Sequence, residues 1–205
     1  MSASAPAGKP SLLSRLVRGG LLALYRTRGW TAVGQAPADR RCVIIAVPHT
    51  SNWDFLYFLG LTADIGIMPN FMAKASLFRW PLGRFMREMG GVPVERSSSR
   101  NYVDAMVDEF ARRDAMMLVV APEGTRSGVS SWRTGFYHIA LGAGVPIVCG
   151  FVDYPGKRGG LGPAIMPTGD YAADMAKIAA FYQMAAGPKN PGNARTDFAA
   201  MANGE

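Results

Sequence analysis

His49 and Asp54 stand five positions apart in a short polar segment, residues 48–54, between two apolar stretches. A carboxylate next to a histidine fixes the tautomer of the ring and favours the imidazolium that forms when the ring accepts a proton. The pair therefore predicts a general base. A simpler interpretation is a turn histidine beside an aspartate in the first turn of a helix, and the spacing alone does not separate the two.

A second polar segment, Glu123–Arg126, combines an acid, a glycine, a hydroxyl and a guanidinium. Arg126 suits a phosphate, which it can bind through two parallel hydrogen bonds, and Gly124 lets backbone amides approach a ligand. Arg96 ends another predicted strand. If both arginines lay near His49, they would form a site for an anionic substrate. The alternatives are a surface turn with an internal Glu–Arg pair and, for Arg96, a solvated surface charge.

Other chemistries find little support in the sequence. The Gly-x-Ser-x-Gly pattern that begins at Gly128 fails because position 132 is Trp, and a dinucleotide fingerprint fails at Ile147. With only two histidines, no zinc site is predicted, and His138, inside a predicted helix, is interpreted as structural.

The polar segments follow predicted buried strands, and strands alternate with helices along the chain. This pattern predicts an α/β domain with a mixed, largely parallel sheet flanked by helices and with its site at the strand ends. Ser51 or Asn52 is expected to cap the helix after His49. The apolar run 55–61 is interpreted as core, with an acyl tunnel as the alternative. Strands are predicted at 42–47, 71–75, 90–96, 115–121, 145–152 and 163–166, and helices at 11–28, 77–89 (limited by Pro81), 97–113, 134–143 and 171–186.

Size and composition indicate one domain with a substantial core, because 49% of the 205 residues are hydrophobic and only 18% are charged. Cys42 and Cys149 lie in predicted strands and are expected to be reduced core residues. The predicted organisation is a flexible N-terminus (1–10), an amphipathic helix (11–30), the main domain (31–186) and a tail (187–205).

Basic residues are concentrated near the N-terminus. The net charge is +7, and residues 1–41 hold seven lysines and arginines against Asp39 alone. Arg15 and Arg18 interrupt the apolar pattern of the first helix, which predicts neither a membrane span nor a signal peptide. Either this helix lies in an anionic membrane interface, or it docks its leucines on its own domain. A nucleic-acid surface fits the uneven charge less well.

Together these motifs resemble the glycerolipid acyltransferase superfamily typified by lysophosphatidic acid acyltransferases. Four blocks follow one another in the order of that family between about residues 42 and 152. They are the His-x4-Asp block 49–54, a second block that includes Lys74, 77–83 and 91–96, a third at 122–127, and a fourth at 145–148.

The resemblance implies transfer of a fatty acyl group from acyl-CoA or acyl-carrier protein to a hydroxyl of a lysophospholipid such as lysophosphatidic acid. His49 would be the base and Asp54 its orienting partner, with no acyl-enzyme, metal or cofactor besides the thioester co-substrate. Arg96 of the second block and residues 123–126 of the third would bind the acceptor head group, and Pro146 of the fourth would help to shape the acyl or acceptor pocket. The implied substrate-binding residues are Lys74, Arg96, Glu123, Gly124, Thr125, Arg126 and Pro146.

Two departures from the family pattern leave the acceptor open. Cys149-Gly150 stands where many members have a second proline, and Glu95 stands where an aspartate is common. The alternatives are an aminolipid or glycolipid acceptor, a non-catalytic lipid-binding protein on the same fold, and a thioesterase. The expected location is the cytoplasmic face of a membrane, as a peripheral protein without nucleic-acid partners.

Overall fold

A computed structural model describes residues 10–94, 99–124 and 132–185 together with Gly187. Apart from Pro10 and Gly187, the predicted flexible N-terminus and tail lie outside these residues. The described chain forms a single α/β domain in which helices and strands alternate, as predicted. The helices are α1 (Leu12–Arg26), α2 (Asn52–Ile65), α3 (Gly83–Glu88), α4 (Ser99–Ala111), α5 (Gly135–Ala143) and α6 (Tyr171–Ala185), and the strands are β1 (Thr31–Val33), β2 (Arg41–Val47), β3 (Asn70–Lys74), β4 (Gly91–Val94), β5 (Met116–Val120), β6 (Ile147–Asp153) and β7 (Arg158–Ile165).

The strands form one mixed, largely parallel sheet in the order β1-β7-β6-β2-β5-β3-β4. Strands β6, β2, β5, β3 and β4 run parallel to one another, whereas β7 runs antiparallel to β6 and β1 runs parallel to β7. The carboxyl ends of β6, β2, β5 and β3 therefore meet along one edge of the sheet. This is the edge at which such sheets place their sites.

Both faces of the sheet are covered, which explains why its strands are almost continuously apolar. In β2, Val43 and Ile45 point into a core shared with α4, α5 and α6, while Cys42 and Ile44 point into a core shared with α1 and α2. Cys42 and Cys149 are both buried free thiols, as predicted. Burial raises the pKa of each to about 12, so both thiols remain protonated and inert.

Helix α1 packs on its own domain, which is one of the two alternatives that the sequence left open. Its C-terminal half docks on α2, where the buried Tyr25 ring lies directly over Gly60. A Cβ atom at Gly60 would come within 2.2 Å of that ring, so this contact requires glycine. The N-terminal half instead leaves Leu12, Leu13 and Leu16 exposed. Among the described residues, no helix is long and apolar enough to cross a bilayer.

Three elements differ from the sequence prediction. Segment 77–89 divides into a 3₁₀ turn (Ala75–Phe78) and α3, with Pro81 between them, because proline cannot donate its backbone nitrogen to a continuing helix. Strand β7 begins at Arg158 rather than at 163. Its first half was not predicted because it is rich in glycine, which has a low β-propensity. The short edge strand β1 was not predicted.

Candidate active site

Four strand ends bring residues from distant parts of the sequence to one edge of the sheet. His49 follows β2, Glu123 follows β5, Lys74 ends β3 and Tyr154 follows β6. Since β6, β2, β5 and β3 are neighbours in the sheet, these ends lie side by side. Three predicted site residues, His49, Glu123 and Lys74, therefore lie at the strand ends of one edge, together with Tyr154, which was not predicted.

The turn between β2 and α2 fixes the position of Asp54. Ser51 caps α2 by accepting a hydrogen bond from the Trp53 N–H, and Oδ2 of Asp54 accepts hydrogen bonds from the N–H groups of Thr50 and Ser51 at 2.6 and 2.7 Å. This reciprocal arrangement is a capping box. It holds the buried carboxylate rigidly at the positive end of the helix dipole.

His49 lies against this fixed carboxylate. Its Nδ1 is 3.6 Å from Oδ2 of Asp54, and its side chain is 24% exposed whereas that of Asp54 is 5% exposed. A contact of this length becomes a hydrogen bond after a small movement of the ring, and catalytic contacts are often long before substrate binds. The structure thus brings the two predicted catalytic residues together, with Nδ1 towards the acid.

Tyr154 is a third member of this group that sequence reasoning missed. Its hydroxyl donates a hydrogen bond of 2.5 Å to Oδ1 of Asp54, the carboxylate oxygen that the capping box does not use. Its ring lies edge-on against Trp30 and Tyr57, which are themselves stacked with centroids 4.2 Å apart. Burial, and then the Asp54 hydrogen bond, raise the pKa of Tyr154, so its hydroxyl remains a donor at all ordinary pH values.

Glu123 connects the β5 loop to the β2 loop. Its Oε1 accepts a hydrogen bond from the backbone N–H of His49 at 3.1 Å, and the side chain is buried. The other oxygen, Oε2, has no hydrogen-bond partner among the described residues. Burial raises the pKa of Glu123 to about 7, against an opposing effect of backbone hydrogen bonds that include the one from His49. This carboxyl group therefore positions the backbone of His49 and keeps its proton to a higher pH than an ordinary glutamate does.

Gly124 lies beside Arg133, a second residue that the sequence did not single out. Gly124 has a φ of +67°, and a Cβ atom there would lie 2.7 Å from Nε of Arg133. The Arg133 N–H donates to the carbonyl of Pro122, which places its exposed guanidinium across the glycine. No recognisable sequence motif includes Arg133. Only the structure identifies it as a cation at this edge of the sheet.

The remaining predicted site residues are dispersed. Lys74 ends β3 with an exposed side chain at the same edge as His49. Pro146 is buried immediately before β6, at the opposite edge of the sheet, and the structure does not bring it to His49. Its predicted influence on a pocket would have to act through the placement of β6. Arg96, Thr125 and Arg126 lie outside the described residues.

A cleft opens in front of the His49–Asp54 pair. One of its walls includes Phe55 and Phe58 of α2, while Leu61 of the same apolar run is fully buried in the core. His138, interpreted as structural, is exposed on α5 and also lines the cleft. The described residues contain no group of three or more histidine, cysteine, aspartate or glutamate side chains that could hold a metal ion. The residues that face the cleft include His49, Asp54, Phe55, Phe58, Phe71, Val119, Gly124, Arg133 and Val152.

The chain is similar to known proteins at the level of family and of fold. The family model described as Acyltransferase matches residues 31–151, more than half of the chain and the whole span from β1 to the middle of β6. Comparison with curated proteins finds no significant match. The fold is similar to the crystal structure of the 1-acyl-sn-glycerophosphate (LPA) acyltransferase PlsC from Thermotoga maritima, with a TM-score of 0.54 and 19% identity over 76% of this chain and 72% of that one.

Proposed function

Because this chain belongs to the acyltransferase family, we propose that it transfers a fatty acyl group from acyl-CoA or acyl-carrier protein to a hydroxyl of a lysophospholipid such as lysophosphatidic acid. The observation that carries this proposal is the His49–Asp54 pair at the mouth of a cleft with an apolar wall. A general base is what an acceptor hydroxyl requires, and an apolar wall suits a lipid chain.

The proposed reaction proceeds by direct attack. Nε2 of His49, the nitrogen that does not face Asp54, takes the proton of the acceptor hydroxyl while the hydroxyl oxygen attacks the thioester carbonyl carbon. The tetrahedral intermediate collapses by breaking the carbon–sulfur bond. The departing thiolate then takes the proton from the His49 imidazolium, so the products are an ester and a free thiol. Asp54 stabilises the imidazolium throughout.

Two of the described cations are placed to favour an anionic acceptor. Arg133 lies over Gly124, and Lys74 ends β3 at the same edge of the sheet. A guanidinium can bind phosphate through two parallel hydrogen bonds, and an ammonium adds a point charge. We therefore favour a phosphate-bearing acceptor over an aminolipid or a glycolipid. Arg96, Thr125 and Arg126 are proposed to contribute to the same head-group site.

The proposed setting is the cytoplasmic face of a membrane. Acyl-CoA and acyl-carrier protein reach the enzyme from the aqueous side, while the acceptor is held in the bilayer. The exposed leucines and arginines of α1 suit a peripheral attachment of this kind.

An acceptor panel tests the proposal. Purified protein is incubated with a long-chain acyl-CoA or acyl-carrier protein and with lysophosphatidic acid, a neutral monoacylglycerol or a lyso-aminolipid, and products are identified by mass spectrometry. We expect acylated product chiefly from lysophosphatidic acid. Equal turnover of the neutral acceptors would overturn the phosphate preference, thiol release without any acceptor would indicate a thioesterase, and lipid binding without turnover would indicate a binding protein.

A further inference from the structure

The large apolar side chains that remain exposed include one unusual cluster. Trp80 is 94% exposed, and Leu77 and Leu82 beside it are 42% and 50% exposed. Single exposed hydrophobic residues are common in soluble proteins, but a tryptophan and two leucines within six residues form a patch that needs an explanation. We call residues 77–82 the Trp80 loop.

The Trp80 loop is anchored at its base. Phe78 is buried, and the Arg87 guanidinium lies over its ring, 5.5 Å from the centroid. The Gly83 N–H donates to the carbonyl of Arg79 at 2.8 Å, and Arg87 donates to the carbonyl of Gly83 at 3.2 Å. The fold therefore holds the loop in place while Trp80 projects from it, which lowers the entropy cost of any docking through this side chain.

The surroundings of the loop are basic. From Lys74 to Val94 the described residues carry four cations, at Lys74, Arg79, Arg84 and Arg87, and one anion, at Glu88. Arg84 pairs with that carboxylate through its Nε at 2.7 Å, and the hydroxyls of Ser11 and Ser14 donate to it at 2.5 and 2.6 Å. The exposed cations Lys74, Arg79 and Arg87 remain, so the segment keeps a net charge of +3.

The same hydrogen bonds join α1 to this region. Since Ser11 and Ser14 bind Glu88 of α3, the first turn of α1 is attached to the helix that follows the Trp80 loop. That turn and the next one expose Leu12, Leu13 and Leu16, with Arg15 and Arg18 between and after them. The start of α1 and the Trp80 loop are therefore both apolar and basic, and the hydrogen bonds to Glu88 connect the two regions.

We propose that the Trp80 loop docks on an anionic lipid surface, with the Trp80 ring at the head-group level and the neighbouring arginines against lipid phosphates. Tryptophan prefers this depth because its ring is apolar and its N–H is polar, and each nearby cation adds attraction to anionic lipid. The 3₁₀ turn that leads into the loop follows directly on β3, and the Phe78 ring then packs against Gly91 at the start of β4. The inference rests on the proposed function, because an acceptor held in a bilayer requires the protein to bind that surface.

Binding to vesicles tests the docking directly. Full-length protein is mixed with vesicles of phosphatidylcholine and phosphatidylglycerol, and the bound fraction is measured by sedimentation for wild type, Trp80→Ala and Met184→Ala. Met184 is a suitable control because it is 80% exposed on α6, which packs on the other face of the sheet. We expect Trp80→Ala to bind at least about tenfold more weakly and Met184→Ala to remain within about twofold of wild type. Equal binding by wild type and Trp80→Ala would overturn the proposal.

Fluorescence quenching gives a second measurement, which reports the depth of the tryptophan in bound protein. Vesicles with brominated acyl chains quench only those tryptophans that reach the bilayer, and Trp80→Phe keeps an aromatic side chain in the loop. Most of the quenching should disappear in Trp80→Phe while its bound fraction stays within about threefold of wild type. Quenching that persists in Trp80→Phe would contradict the proposed depth. Self-association of wild type that Trp80→Ala abolishes, without any effect on vesicle binding, would assign the loop to a protein contact instead.

The docking and the proposed reaction can fail separately. Turnover of a short-chain, monomeric lysolipid in the absence of vesicles reports on the chemistry, and Trp80→Ala should retain wild-type turnover there. Vesicle binding that depends on Trp80 without any turnover would keep the docking surface and reject the acyltransferase proposal. Turnover together with vesicle binding that is the same in wild type and Trp80→Ala would keep the acyltransferase proposal and reject the docking surface.

Discussion

The Tyr154 hydroxyl donates a 2.5 Å hydrogen bond to Asp54 across 100 positions of sequence. The other oxygen of the same carboxylate accepts two backbone hydrogen bonds from the turn before α2 and faces Nδ1 of His49. The position of the acid is therefore set from both sides, by its own helix cap and by the end of β6. His49 and Asp54 are close in sequence, but the position of Asp54 also depends on its hydrogen bond from Tyr154, which is distant in sequence.

Replacing Tyr154 with phenylalanine should impair catalysis more than folding. The variant keeps the ring against Trp30 and Tyr57 but removes a hydrogen bond to a charged group, worth about 1.5–3 kcal/mol. We expect kcat to fall about tenfold or more with little change in KM, because Asp54 loses the contact that fixes its second oxygen and then orients His49 less precisely. Because the carboxylate then disperses less of its charge, it favours the imidazolium more strongly, and the acidic limb of the pH–rate profile should move to higher pH.

Tyr171→Phe provides the matched control for this substitution. Tyr171 is a partly buried tyrosine on α6 that packs edge-on against Tyr137, away from the cleft. Its pH–rate profile should coincide with that of wild type. A Tyr154→Phe profile that coincides with that of wild type, both in height and along the pH axis, would show that Tyr154 does not act on the His49–Asp54 pair.

Glu123 should make the stability of the protein depend on pH in a definite direction. Burial raises its pKa from 4.5 to about 7 in the folded state. The folded state therefore binds this proton more tightly than the unfolded state does, and the free energy of unfolding falls as pH rises from about 4.5 to above 7. The full effect is up to about 3 kcal/mol for a shift of this size.

Glu123→Gln removes this titration while it keeps an oxygen that can accept the His49 N–H. Urea unfolding of both proteins at pH 5, 6, 7 and 8 gives the measurement. The free energy of unfolding of wild type, relative to that of the variant, should decrease steadily over this range. A difference that is constant with pH would mean that Glu123 is ionised throughout.

Gly124→Ala should weaken binding of an anionic acceptor through Arg133. The new Cβ atom would lie 2.7 Å from Nε of Arg133 and would displace the guanidinium. We expect KM for the acceptor to rise about tenfold, as for the loss of one hydrogen bond to a charged group. Gly144→Ala carries the same left-handed strain, with a φ of +62°, but its Cβ atom meets nothing within 4 Å. It should lower stability similarly and leave KM unchanged; equal KM changes in both variants would exclude a role for Arg133.

Docking of α1 can be tested with two glycines in neighbouring helices. Gly60→Ala places a methyl group 2.2 Å from the Tyr25 ring and should destabilise the protein by about 1–3 kcal/mol. Gly20→Ala, where nothing lies within 4 Å, should instead stabilise α1 by about 0.5–1 kcal/mol through helix propensity. Thermal unfolding of both variants should show shifts of opposite sign. Destabilisation by Gly20→Ala would mean that the exposed face of α1 is in contact with its own domain.

The sequence predicted those parts of the fold that depend on local pattern. Apolar β-branched runs predicted β2, β5 and β6, and Ser51 was predicted as one of two candidate caps of α2. The first half of strand β7 was not predicted because glycines at 159, 160 and 162 weaken its β-propensity, although pairing with β6 makes it a strand. Tertiary contacts overrode local preference there.

The candidate site was predictable only where its residues are neighbours in sequence. His49 and Asp54 share one turn, so their contact could be anticipated from spacing. Tyr154 and Arg133 could not, because each acts on a residue that the topology brings close: Asp54 for Tyr154, and Gly124 for Arg133. Pro146 was predicted as a site residue because it belongs to the fourth block of the family resemblance. The structure places it at the opposite edge of the sheet from His49.

Thiol release from a long-chain acyl-CoA, with and without lysophosphatidic acid, tests the central claim most directly when wild type, His49→Ala and His138→Ala are run side by side. His138→Ala removes the only other imidazole of the chain. We predict release by wild type that requires the lysolipid, a loss of about 10²–10⁴-fold in His49→Ala, and a loss below about tenfold in His138→Ala. Lysolipid-dependent release by His49→Ala at the wild-type rate would contradict the assignment of His49 as the general base.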